Sequence, residues 1–170
     1  MTGAVLWDMD GTLGDSLGEG EVQRIGDAKE EHYRRLAVEG GVVPLPGAAE
    51  WVSRLRQSGW RQAVASSAPR ENVEVMLRLM KLDGQFDAIA AAEDVTAGKP
   101  DPQIFLAAAS RLGARPAQSI VVEDAAAGIE AAKAAGMRSI GVSDTTVLPA
   151  DIFVRSLADL PEDAFVRLLL

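Results

Sequence analysis

Two aspartates stand two residues apart in Asp8-Met9-Asp10-Gly11-Thr12, directly behind the apolar run Ala4-Val5-Leu6-Trp7. The run reads as a buried strand, so the pair occupies an exposed acidic turn at its end. A packed core has no use for such a turn. An aspartyl nucleophile with a neighbouring acid/base, gathered around a divalent cation, needs one. Other polar groups recur in matching places. Ser66-Ser67 follow the run Gln62–Ala65, and Glu123-Asp124 follow Ser119–Val122. Lys99 lies in Gly98-Lys99-Pro100-Asp101-Pro102, just before a helical pattern.

In open parallel α/β sheets, ligands bind at the carboxyl ends of the strands, and these residues gather on that edge. Charge decides what the crevice holds. Like charges ~4 Å apart repel by about 4 kcal/mol at an effective dielectric near 20. Asp8, Asp10, Glu123 and Asp124 therefore need counter-charge. Lys99 supplies one, and a hard divalent cation with all-oxygen ligands, Mg²⁺, suits the remainder. A phosphoryl group completes the balance. Ser66 offers it a hydroxyl, and the helix start at Pro69 is expected to offer free backbone N–H groups. Ser67 is open between ligand and helix cap. The expected chemistry is attack of Asp8 on phosphorus, with Asp10 as acid and then base, and with Lys99 neutralising the phosphoryl oxygens.

The elements that must position these groups alternate along the chain. Strands are expected at Ala4–Trp7, Gln62–Ala65, Ala88–Ala90, Ser119–Val122, Ser139–Val142 and Ile152–Val154. Helices are expected at Ala48–Gln57, Arg70–Met80, Gln103–Leu112 and Ala125–Ala135, with Gly59, Gly113 and Gly136 closing three of them. The strands are near-continuous apolar runs, as in a sheet covered on both faces. The expected architecture is a doubly wound, Rossmann-like parallel α/β sheet. Residues 1–15 and 46–170 form this core, and 16–45 form a small helical cap insertion. The insertion reads as one helix, about Glu19–Glu39, with Val22, Ile25, Tyr33 and Leu36 as its apolar stripe. Lys29 falls in the middle of that stripe. It either faces the crevice or lays its stem over apolar surface.

Composition bounds the rest. The 170 residues are 48% hydrophobic and 25% charged, enough for one domain with a real core. A formal net charge of −8 argues against bare nucleic acid or an anionic membrane as partner. The chain has no cysteine and one histidine, which leaves no thiolate or multi-histidine metal site. A cytoplasmic protein is expected.

In these motifs the chain resembles the phosphatase and phosphomutase branch of the haloacid dehalogenase superfamily. Asp8-Met9-Asp10-Gly11-Thr12 resembles the first motif and Ser66 after Ala63-Val64-Ala65 the second. Lys99 in Gly98-Lys99-Pro100 resembles the third, and Glu123-Asp124 after Val121-Val122 the fourth. The resemblance implies Asp8 as nucleophile and Asp10 as acid/base. It also implies Mg²⁺ held by Asp8, the Asp10 carbonyl and Asp124, with Glu123 beside it. Asp10 separates the chain from the dehalogenases, which lack the second aspartate. Lys29 matches the cap lysine of β-phosphoglucomutase-like relatives, which contacts a substrate phosphate. The cap resembles only the rear part of the usual multi-helix insertion. The expected activity is Mg²⁺-dependent hydrolysis of a small phosphorylated metabolite, a sugar phosphate among the candidates. A β-phosphoglucomutase-type phosphomutase and a non-catalytic phospholigand- or partner-binding homologue are the alternatives. A short cap leaves the crevice open or covered by a neighbouring subunit, so a monomer and a homo-oligomer both stand.

Overall fold

The computed structural model describes residues 3–14, 31, 34, 35, 37–39 and 41–170. Six strands form one sheet: β1 (Ala4–Trp7), β2 (Arg61–Ala65), β3 (Ala88–Ala90), β4 (Ser119–Glu123), β5 (Arg138–Val142) and β6 (Ile152–Val154). Every pairing is parallel, and the order is β3-β2-β1-β4-β5-β6. The helices are α1 (Ala48–Gln57), α2 (Arg70–Leu79), α3 (Gln103–Leu112), α4 (Ala126–Ala134) and a short α5 (Ala164–Arg167). The expected strands and the first four helices agree with these to within a residue at each end. α5 was not anticipated, because four residues carry no readable period. No helix among the described residues is long and apolar enough to cross a membrane.

Strand side chains alternate between two cores. Val5, Trp7, Val64, Ile120 and Val122 face one layer, with Trp51, Val52, Val73 and Met76 from α1 and α2. Ala4, Leu6, Ala63, Ala65 and Val121 face the other, with Ile104, Phe105, Ala108, Ala131 and Ala132 from α3 and α4. The two layers differ in bulk. On the first, Phe165 of α5 meets Trp7, Trp51 and Trp60 at centroid separations of 6.1, 5.2 and 6.0 Å. The second is rich in alanine, which lets its helices sit close to the sheet. Two buried polar side chains of this layer are partnered. Trp7 Nε1 donates to Gln62 Oε1 (3.0 Å), and Gln62 Nε2 donates to the Val52 carbonyl (2.9 Å).

The helix ends explain the short connections. Gly59, Gly113 and Gly136 all take positive φ, as expected of closing residues. At the start of α3, Asp101 Oδ1 accepts the Gln103 N–H (3.0 Å), and Pro102 is the flanking residue, not the first helical one. Within 16–45, residues 31, 34, 35 and 37–39 are helical. Ala37 is buried in the first core, and Arg34 Nη1 donates to Asn72 Oδ1 (3.0 Å) and pairs with Glu71 (3.1 Å) at the start of α2. Lys29, together with Val22, Ile25, Tyr33 and Leu36 of the expected stripe, lies outside the described residues.

Candidate active site

The strand order reverses direction at β1 and β4, which are neighbours. Such a switch point opens a crevice at the carboxyl ends of the strands. Asp8 follows β1, and Glu123 ends β4, with Asp124 next to it. The Asp8 N–H donates to the Val122 carbonyl (2.9 Å), which stitches the first turn to β4. The turn then closes on itself, with Leu13 and Gly14 N–H donating to the Met9 carbonyl at 3.0 and 3.2 Å.

Lys99 reaches this pair from the loop after β3. Its Nζ donates to Asp8 Oδ1 and to Glu123 Oε2, the latter at 2.7 Å. The amine also lies 5.0 Å from the Phe105 ring centroid, a cation–π contact with the second core. Two carboxylates in contact raise the Lys99 pKa above its ordinary value, against the opposing effect of burial. Burial pushes the Asp8 pKa well up, Lys99 pulls it down, and the Glu123 charge adds to the rise. Asp124 is pushed up to about 7, first by burial and then by the Glu123 charge beside it.

Asp8, Glu123 and Asp124 each offer a carboxylate oxygen within 4.8 Å of the others. Three hard oxygen donors, two of them destabilised as anions, fit a small divalent cation. Glu123 is the most committed of the three. Its Oε2 is taken by Lys99, and its Oε1 accepts the N–H groups of Asp124 and Ala125, both at 3.2 Å. No side chain caps α4, so Asp124 does not spend its carboxylate there.

Two glycines make room for the acids. A Cβ on Gly11, which has φ 74°, would collide with the Asp124 carboxylate. A Cβ on Gly128, in the first turn of α4, would collide with the Glu123 side chain. The sequence alone does not mark Gly128. Its spacing of five from Glu123 would have been the only signal.

The remaining expected residues are placed less centrally. Asp10 follows on the same turn, partly buried, in a bridge with Gly14. Ser66 is buried at the end of β2, beside β1, and its Oγ accepts the Ala68 N–H (3.1 Å). Ser67 is exposed and lines, with Lys99, a cavity of about 230 Å³. One expectation needs correction. The start of α2 does not present a full set of free N–H groups, because the Arg70 N–H donates to both Glu93 carboxylate oxygens at 3.1 Å. An acid from the β3 loop has taken the favourable position at the positive end of that helix.

The chain belongs to the haloacid dehalogenase-like hydrolase family, whose model matches residues 16–136. It is 37% identical over 122 residues to hexitol phosphatase B of Escherichia coli strain K12, covering 68% of this chain and 55% of that protein. It is 39% identical over 117 residues to beta-phosphoglucomutase of Bacillus subtilis, covering 68% and 51%. The chain thus spans about half the length of these curated relatives. Among solved structures, CbbY from Rhodobacter sphaeroides in complex with phosphate superposes with a TM-score of 0.82 at 26% identity, over 94% of this chain and 96% of that one.

Proposed function

We propose that the chain is an Mg²⁺-dependent phosphatase acting on a small phosphorylated metabolite, a sugar phosphate among the candidates, through an aspartyl-phosphate. The observation that carries the reading is Lys99 bound at once to Asp8 and Glu123, with Asp124 in the same oxygen cluster. Asp8 and Asp124, with the Asp10 carbonyl, would hold Mg²⁺, which supplies positive charge for the phosphoryl oxygens. Glu123 is better used in fixing Lys99 and the β4 loop than as a direct ligand.

In the first step an Asp8 oxygen bonds to phosphorus, the ester P–O bond breaks, and Asp10 gives its proton to the leaving oxygen. In the second, water bonds to phosphorus, the Asp8 O–P bond breaks, and Asp10 takes the water's proton. Lys99 stays protonated throughout and faces the developing charge, and the Ser66 hydroxyl serves a phosphoryl oxygen. Residues 16–45 act as a reduced cap, and Lys29 stays a candidate for substrate contact. A cytoplasmic location goes with this reading.

The purified chain should release phosphate from p-nitrophenyl phosphate with Mg²⁺, and Asp8→Asn should lower the rate by about 10⁴-fold or more. A variant with undiminished rate would remove Asp8 as nucleophile. The similarity to beta-phosphoglucomutase favours a second reading. β-Glucose 1-phosphate separates the two: a mutase yields the 6-phosphate, a phosphatase inorganic phosphate. Phosphate binding without any product would point to the non-catalytic alternative.

A further inference from the structure

Outside the catalytic cluster, the densest charged network among the described residues centres on Asp94. This residue lies in the loop between β3 and Lys99. Its side chain is 15% exposed and takes four donors. Arg70 Nη2 of α2 donates to Oδ2 at 2.5 Å, and Arg111 Nη1 and Nη2 of α3 donate to Oδ2 and Oδ1 at 2.7 and 2.5 Å. The Ala91 N–H donates to Oδ2 at 2.8 Å. Both arginines also donate to the Ile89 carbonyl of β3, Arg70 at 3.1 Å. The carboxylate therefore joins three elements, with Arg111 forming the fork that suits a planar guanidinium. These contacts hold its pKa far below the usual carboxylate range.

The two helices it joins carry the two sides of the phosphate site. α2 begins four residues after Ser66, and its Arg70 N–H is also held by Glu93, the neighbour of Asp94. α3 begins four residues after Lys99, and its Gln103 Oε1 accepts the N–H groups of Thr96 (2.9 Å) and Ala97 (3.3 Å). The Lys99 loop is thus tied at both ends, upstream by Asp94 and downstream by Gln103. We infer that Asp94 is a positioning residue whose clasp of Arg70 and Arg111 sets the Lys99 amine relative to the Ser66 loop. The metal side, Asp8 and Asp124, follows β1 and β4 and takes no bond from Arg70 or Arg111; it meets the clasp only through the Lys99 amine on Asp8. The inference rests on the phosphatase reading above.

The test compares wild type, Asp94→Asn and Arg111→Lys for kcat, the inhibition constant of inorganic phosphate and the Mg²⁺ concentration giving half-maximal rate. Asp94→Asn should lower kcat and weaken phosphate about tenfold to a hundredfold, as expected of a displacement near 1 Å. Half-saturation by Mg²⁺ should stay within about twofold, because the β1 and β4 ends fix the backbone of Asp8 and Asp124 and the clasp reaches Asp8 only through Lys99. Arg111→Lys keeps the charge, loses the fork and should fall between. Unchanged kcat and phosphate affinity in Asp94→Asn would overturn the inference. So would equal weakening of phosphate and Mg²⁺, which marks general loosening. If Asp94→Asn shows no cooperative unfolding transition, Arg111→Lys decides by the same criteria. If wild type turns over no ester, the phosphatase reading fails by itself. Calorimetric phosphate binding in the presence of Mg²⁺ then decides, with weaker binding by Asp94→Asn supporting the clasp. Equal binding, or none by either protein, would overturn it.

Discussion

At the scale of single residues, the acids of the site are held in a state that invites a cation. Burial and the Glu123 charge push Asp124 up to about 7, against about 3.9 for a free aspartate. A folded-state pKa above the unfolded one means that the fold binds the extra proton between those values. Metal-free stability contributed by this group is therefore lost as pH rises from about 4 to about 7. On the proposed reading Mg²⁺ would displace that proton, so its stabilisation should grow over the same window. Calorimetric melting at pH 5 and pH 8 checks this: the Mg²⁺-induced rise in Tm should be larger at pH 8, and Asp124→Asn should abolish it. Equal shifts at both pH values would count against Asp124 as a ligand.

Gly128 gives a second test at this scale. Alanine is the better helix former by about 1 kcal/mol, so Gly128→Ala would ordinarily stabilise α4. Here the new methyl meets the buried Glu123 side chain, which must leave Lys99 to make room. Stability should stay within about 2 kcal/mol of wild type, because a side chain yields more readily than backbone. The rate should fall about tenfold or more, as when a group orienting a functional residue is lost. Denaturant melts beside steady-state rates separate the two effects.

At the scale of elements, much of the structure was legible because the signals are local. Six apolar runs gave the strands, and glycines after helical patterns gave the turns. The acidic pair after β1 and the pair at β4 marked the crevice, since core packing does not explain acids at strand ends. Glu93-Asp94 after β3 is a third acidic pair at a strand end. That pair holds arginines from α2 and α3, partners that the sequence does not announce. The start of α2 departs from its expectation for the same reason. A helix N-terminus has unpaired N–H groups by construction, but whether another loop fills them is a tertiary matter. Glu93 fills one.

At the scale of the whole molecule, α5 shows how a short segment closes the fold. Phe165 is 2% exposed and touches three tryptophans, from β1, from α1 and from the residue just before β2. Deleting such a ring leaves a cavity that three rigid indoles cannot collapse into. Phe165→Ala should cost about 3–5 kcal/mol, a sizeable part of the stability of a domain this size, measured by urea titration. Retention of wild-type stability would show that α5 is an accessory, not a closing element.

The alanine-rich layer has a different consequence. Phe105 and Ala108 of α3 are wholly buried, and Phe105 lies beneath the Lys99 amine. The floor under the Lys99 ammonium is thus part of the hydrophobic interior. If the proposed reading holds, a change of interior volume on that side would move the amine, and with it the rate, while every acid and base stayed the same.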